Sequence, residues 1–466
     1  MTSRFIAALL AAAAAPLAAQ APAPPPPVAV DPAVAALRDD AAANDHYAWD
    51  ITEGLTTEVG QRLAGTEAEA RARAWSVAKL RAMGFTNVRV DGFPVTTPVR
   101  GAESAEILAP FPQKLVVNGL GGSGFTGPEG VTGEVIGFDS VDSLRLAPDE
   151  AVRGKIVFID HRMAPTQDGS GYGQFGAPRR AGPTVASLKG ALALVIRSIG
   201  TDRDRMPHVG VMEFQGGARP IPVGALSVPD AEQVERILKR GQPVTMRLRI
   251  QGQRVTGVSG NVIAELTGRD PALAPVLVAC HLDSWDLGTG AIDDAAGCGI
   301  VAAAAKRIMD RGRPLRTIRI VWFGAEEIGL FGGVDYQKRY GTQPHHAIAE
   351  SDFGADRIWR VNSKLGPARR EEAKRLAAAL APLGILTGSF DAAEGSDIGA
   401  MIAAGVPAVG LSQDGTRYFD LHHTANDTLD KVDPVQLRQN VAAWTTLLAV
   451  LAGPVKRPLG KSRRRR

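Results

Sequence analysis

The residues able to do chemistry in this 466-residue chain gather in its second half. His281 and Asp283 form an HxD triplet, and in an extended segment both project to one side, so the carboxylate can accept the imidazole's second N–H and fix its tautomer for metal binding. The loop SWDLGTGAI, with Gly288 and Gly290 to permit unusual backbone angles, then leads to Asp293 and Asp294 at the start of an Ala-rich helix. One aspartate suffices as an N-cap, which frees the other. Glu326 and Glu327 close the apolar run TIRIVWFGA, Asp352 follows HAIAES, and His422 and His423 stand in RYFDLHHTANDT.

Each feature alone has an ordinary reading as a strand cap, a helix cap or an acidic surface pair. Their joint occurrence is more specific. Adjacent carboxylates leaving a hydrophobic strand raise each other's proton affinity and are costly unless a cation neutralises them. Imidazole and carboxylate ligands without thiolate suit catalytic zinc. One glutamate of the pair can bind metal while its neighbour takes a proton from water, a division of labour that amide hydrolysis requires.

The elements that must position these residues alternate between helix and strand. NVIAEL, APVLVAC, TIRIVWFGA and HAIAES read as strands and CGIVAAAAKRIMDRG as a helix closed by Gly312. This pattern predicts an α/β fold with a mixed, mostly parallel sheet covered by helices, its ligands at the strands' carboxyl ends. Upstream, AWDITEGLTTEVGQRL and EAEARARAWSVAKLRAMG have helical periodicity and TNVRVDGFPV reads as a strand. Between Pro110 and Gly252 the texture turns to Gly- and Pro-rich loops around GEVIGF, GKIVFID, ALALVIRS and TMRLRIQ, with one helix, PDAEQVERILKR, which predicts a β-rich insertion.

The first 20 residues place Arg4 before a short apolar run ending in small residues, the build of a secretory signal peptide, and the Pro-rich stretch that follows cannot continue a helix. An exported protein, with no membrane association once the signal is removed, is expected. The net charge of +4 comes from Arg4 and the tail residues Lys461 and Arg463 to Arg466, and without them the body is slightly acidic, so nucleic acid is not an expected partner. Cys280 and Cys298 read as small buried hydrophobes, with a bridge between strand end and helix as the alternative.

HLDSWDLGTGAIDDAAG, GAEEIGLFGG, AESD, EGSDIGAMIAAGVPAVG and HHTANDT resemble, in order and approximate spacing, the motifs of the co-catalytic dizinc aminopeptidases and glutamate carboxypeptidases. GLGGSGFTGPEGVTGEVI, GKIVFIDHR and HVGVMEFQGGARPIPVGALSVPDAE resemble that family's protease-associated domain. The resemblance implies a three-layer zinc-exopeptidase core and two zinc ions. It makes Asp293 the bridging carboxylate, joined to Asp294 by a cis peptide, with His281 and Asp352 completing one metal and Glu327 and His423 the other. It implies Glu326 as general base, Asp283 as the partner of His281, and Tyr418 as a phenol near the developing oxyanion, and it gives His422 no ligand position.

The expected organisation is a signal peptide (1–20), a Pro-rich linker (21–33), a first part of the peptidase domain (34–109), the protease-associated insert (110–252), a second part with the metal site (253–454) and a basic tail (455–466). The resemblance also implies a homodimer, in the periplasm or secreted, acting on small peptides and above all on dipeptides unblocked at both ends. An aminopeptidase of longer peptides, a non-catalytic receptor on the same fold and a one-zinc glutaminyl cyclase are the competing readings.

Overall fold

The computed structural model describes residues 28–456, so the expected signal peptide, most of the Pro-rich linker and all but the start of the tail lie outside the described residues. The strands Val276–His281 and Ile318–Phe323 are unbroken apolar runs because both their faces are covered. Val276, Val278, Cys280, Ile318, Ile320 and Trp322 face the helices Tyr47–Gly54, Ala296–Arg311 and Pro434–Leu451. The alternate residues Leu277, Ala279, Val321 and Phe323 face Tyr336 of helix Phe331–Tyr340 and Met401 of helix Gly399–Ala403. Period-two alternation thus builds two apolar layers on one sheet.

At the centre of that sheet four strands run parallel in the order Ala408–Gln413, Ala347–Glu350, Val276–His281, Ile318–Phe323. Ile358–Lys364 flanks them antiparallel on one side and Thr245–Leu266 on the other. Parallel strands deliver their carboxyl ends to one edge, which is where a ligand crevice forms. His281, Glu326, Glu327 and Asp352 all leave the sheet there.

TMRLRIQ and NVIAEL, read above as two strands, are the ends of one, Thr245–Leu266. It pairs antiparallel with Thr86–Ala109 from Thr86 opposite Glu265 to Ala109 opposite Thr245. Its middle, Gln253 to Val258, is largely exposed, so the apolar alternation that marks a strand is missing there. Residues 110–244 lie between the two strands of this ribbon. They form a parallel sheet of Val131–Phe138, Ile156–Ile159, Ala193–Arg197 and Val223–Leu226. They also hold more helix than the single one expected: Val141–Leu146, Asp149–Val152, Ser170–Phe175, Ala177–Arg180 and Gly182–Leu188 precede Val228–Leu238. Each is too short to display a helical period in the sequence.

Two further differences concern packing. Cys280 and Cys298 form a disulfide, which corrects their reading as separate buried hydrophobes; the strand end and the helix's first turn bring their Cα atoms to 5.1 Å. The helix Pro434–Leu451, not singled out in the sequence, starts at Asp433, whose carboxylate accepts the N–H groups of Val435 (2.7 Å) and Gln436 (3.2 Å). It is buried nearly all round, with Trp444 at 0% exposure, so it lacks the polar face that reveals an amphipathic helix. Trp444→Ala should cost about 3–5 kcal/mol of stability, the scale for emptying a core site of this size, read from the urea unfolding midpoint.

Candidate metal centre

His281 ends its strand with Nε2 at 2.9 Å from Asp293 Oδ1 and 3.2 Å from Asp352 Oδ1. Its Nδ1 donates to the backbone carbonyl of Asp283 at 3.0 Å, while the Asp283 carboxylate stands 3.9 Å away. The expectation that this carboxylate holds the ring is therefore corrected. The tight turn after the strand brings the carbonyl round to the imidazole, and the carboxylate instead accepts the backbone N–H groups of Glu326 (3.0 Å) and Glu327 (3.3 Å). Asp283 thus ties the end of one strand to the loop leaving the next.

The loop from His281 to Asp293 is fastened from inside. Arg62, fully buried, donates to the carbonyls of Leu282 (2.8 Å), Thr289 (2.6 Å) and Gly290 (2.9 Å). Gly290 adopts φ 61°, a left-handed geometry that an L side chain rarely takes. Asp427 accepts the N–H of Ile292 (2.7 Å) and Asp293 (3.2 Å). The Asp293–Asp294 peptide is cis. Asp294 is the member of the pair that caps, taking the N–H of Gly297 (3.1 Å) and of His281 (3.2 Å), which leaves the Asp293 carboxylate free to face the imidazoles.

Across Asp293, Glu327 Oε2 lies 3.0 Å from His423 Nε2, itself 3.4 Å from Asp293 Oδ2. His423 has φ 62° and gives its Nδ1–H to the carbonyl of Val209 at 3.0 Å. Both histidines thus engage Nδ1 with a carbonyl and turn Nε2 inward. His422 stacks on His423 at 3.5 Å between centroids, its Nε2 3.6 Å from Asp293 Oδ2. Tyr418 is buried between Phe353 and Phe419, and burial followed by the charges of Asp293 and Asp352 pushes its phenol pKa well up. The five ligand-type residues singled out in the sequence, His281, Asp293, Glu327, Asp352 and His423, come together here.

The donor set fits divalent cations. His281, Asp293 and Glu327 offer ligand atoms within 4.8 Å of one another, as do His281, Asp294 and Asp352. Glu327 Oε1 is buried without a hydrogen-bond partner. Burial first, and the carboxylates around them next, push Glu326 and Glu327 well above the ordinary carboxylate range, although His281 pulls the other way. Burial lowers His281, but Asp352 and Asp293 outweigh it and leave the ring well above its usual value. A cation would take over the charge balance that these protons supply.

Several supports were missed in the sequence. Arg62 follows the helical turns that end at Val59, where nothing marks it, and Asp427 carries a local hint, lying in the HHTANDT segment. Ser396, which donates to Asp352 Oδ2 at 2.8 Å, stands between Glu394 and Asp397, and its own residue type does not mark it. From residues 110–244 come Val209, Tyr172, which stacks on Phe419 at 4.7 Å, and Arg179, which donates to the Val209 carbonyl at 3.1 Å.

The sequence pattern of peptidase family M28 matches residues 261–448. The chain is similar to carboxypeptidase Q of Bos taurus and of Homo sapiens, each 35% identical over 85% of this chain and 84% of theirs. Among solved structures it is similar to a peptidase M28 precursor from Shewanella amazonensis SB2B, with 43% identity, a TM-score of 0.86, and coverage of 91% of this chain and 97% of that one. A zinc aminopeptidase from Bacillus subtilis, 19% identical over 86% of this chain and 94% of its own at a TM-score of 0.64, shares the fold.

Burial raises Asp283 to about 6 and Asp427 to about 7, the latter with help from Asp293. Both values exceed the unfolded range near ~4, so the folded state holds more protons. Stability from these groups is present below about pH 4 and is lost as pH rises through 6 to 7. The metal-free protein should therefore melt at a lower temperature at pH 8 than at pH 5, and added zinc should remove most of the difference. Equal melting temperatures without metal would contradict this account of the carboxylate cluster.

Proposed function

The chain belongs to peptidase family M28 and is a metallo-exopeptidase, and within that family we propose that it hydrolyses short unblocked peptides, dipeptides above all, with two zinc ions and Glu326 as general base. The observation that carries the reading is the convergence of His281, Asp352, Glu327 and His423 on the two sides of Asp293. His281 and Asp352 would hold one ion, Glu327 and His423 the other, and Asp293 both. Bound there, the ions supply Lewis acidity to the peptide carbonyl and acidify water.

Glu326 takes the proton of the attacking water and passes it to the leaving amine. Burial, with Asp352 and Asp293, raises its proton affinity, which suits a group that must accept a proton and then return it. Asp283 positions Glu326 by holding its backbone N–H. Tyr418, kept protonated, donates to the oxygen that gains charge. Glu326→Gln should retain bound zinc and lose about 10² to 10⁴ in rate, since the amide can hydrogen-bond water but not deprotonate it. Turnover near that of the wild type would take this role from Glu326.

A cleft of about 350 Å³ that opens beside Asp352 supports a small, polar substrate. It sits near the small end of ligand pockets, about 300–1,000 Å³. Asp168, Glu350, Asp352 and Glu394 in its wall, against the one cation Arg360, favour a free ammonium group. The 110–244 segment closes one side, where Gly169 lies against Phe353 and the Gln167 carbonyl accepts the Gly415 N–H at 2.8 Å. A closed side restricts long substrates. The reading extends to an exported homodimer, and the Cys280–Cys298 disulfide supports an oxidising compartment. One dipeptide presented free, N-acetylated, C-amidated and within a longer peptide should be cut fastest when free. Faster cleavage of the acetylated form, or efficient cutting inside the longer peptide, would refute the proposal.

A further inference from the structure

The two sides of Asp293 are built from different parts of the chain. His281 finds the partner of its second nitrogen in its own turn, and Asp352 is held by Ser396, so the hydrogen bonds on that side come from the core alone. Those on the His423 side do not. Its loop is held across the junction by residues 198–212, which follow the strand Ala193–Arg197. Val209 accepts from His423 Nδ1 at 3.0 Å and its own N–H donates to the His423 carbonyl at 3.1 Å. Thr201 donates its N–H to the Phe419 carbonyl at 3.0 Å and its hydroxyl to Asp420 at 2.6 Å.

At the middle of this junction sits His208, 2% exposed. Its Nδ1 lies 2.8 Å from the carbonyl of His422, and its Nε2 is paired with the buried carboxylate of Asp202. Its backbone N–H goes to Ser198 Oγ at 2.8 Å. The ring lies directly against the backbone of Gly200, where any side chain would meet it. Space, acceptor and backbone anchor are thus all arranged for one imidazole whose reach is the peptide before His423. Since His423 holds φ 62°, its loop needs such an external hold to keep Nε2 aimed at Glu327 and Asp293.

We propose that His208, oriented by Asp202, is a positioning residue for the His423 and Glu327 metal position, so that the 198–212 loop sets the affinity of one of the two ions and not of the other. This rests on the two-ion reading above. Loss of an outer contact that orients a metal ligand lowers metal affinity by about 10–100-fold. The core-built position, with no contact to the 198–212 loop among the described hydrogen bonds, should not respond.

Zinc binding to the metal-free full chain, followed in competition with a chromophoric chelator, tests the proposal. In His208→Ala one ion should bind about 10–100-fold more weakly and the other as before. His208→Asn, whose amide N–H can still reach the His422 carbonyl, should recover most of the loss. In a His423→Ala background His208→Ala should leave the remaining ion unchanged, whereas in an Asp352→Ala background it should weaken it by the same factor. Thr201→Val, a milder change at the same junction, serves if His208→Ala does not fold, and should weaken the same ion to a lesser degree. Equal weakening of both ions, or no weakening in the soluble variants, overturns the proposal while leaving the two-ion reading intact. A wild-type chain that binds fewer than two ions overturns both.

Discussion

Removing a carboxylate from water without a counter-charge costs several kcal/mol, and this chain places Asp293, Asp294, Glu326 and Glu327 side by side at the carboxyl edge of its sheet. Much of the surrounding structure answers that cost. Arg62 is sunk beneath the loop, Asp283 and Asp427 are spent on backbone N–H groups, and both inward-facing imidazoles have their outer nitrogens committed to carbonyls. The result is a cluster of acceptors held close by covalent and hydrogen-bonded supports rather than by mutual attraction. Such a cluster can carry its full negative charge only with cations among its members, and without them it keeps protons.

What the sequence disclosed follows from where its constraints are local. Strands buried on both faces betray themselves as apolar runs, so the central strands and the residues at their ends were readable, and with them the parallel core. The ribbon was not, because Gln253 to Val258 is exposed and carries no pattern. The helix Pro434–Leu451 escaped for the opposite reason, being apolar all round. At the centre, ligand-type residues could be picked out by type and position. Their supports could not, since Arg62 acts on backbone carbonyls, Val209 through its own carbonyl and Ser396 through a single hydroxyl, and no residue type announces such a role. Asp283 shows the limit well: side-chain direction in an extended strand pointed its carboxylate at His281, and one tight turn gave that place to its carbonyl.

The metal centre also divides the protein's labour. The core sheet supplies most of the ligand-type side chains by the plain rule that parallel strands end together. The 110–244 segment supplies enclosure and orientation instead, through Gly169 beside Phe353, Tyr172 on Phe419, and Val209 on His423. That segment thus bears on the ligand-type residues without supplying one of them.

The ribbon has a consequence for the order in which the chain folds. Thr86–Ala109 emerges from the ribosome well before Thr245–Leu266, its long partner, and the whole 110–244 segment is made in between. Closing so long a loop from an unfolded chain is penalised by its entropy, which grows with the logarithm of its length. The segment's parallel strands have nearer partners, so low contact order favours their assembly first, drawing Ala109 and Thr245 together. Zippering can then run from that end of the ribbon toward Thr86 and Glu265, and the far end of the ribbon is the edge that Ile318–Phe323 pairs with. In the order of synthesis, the part that carries the ligand-type residues comes after both strands of the ribbon.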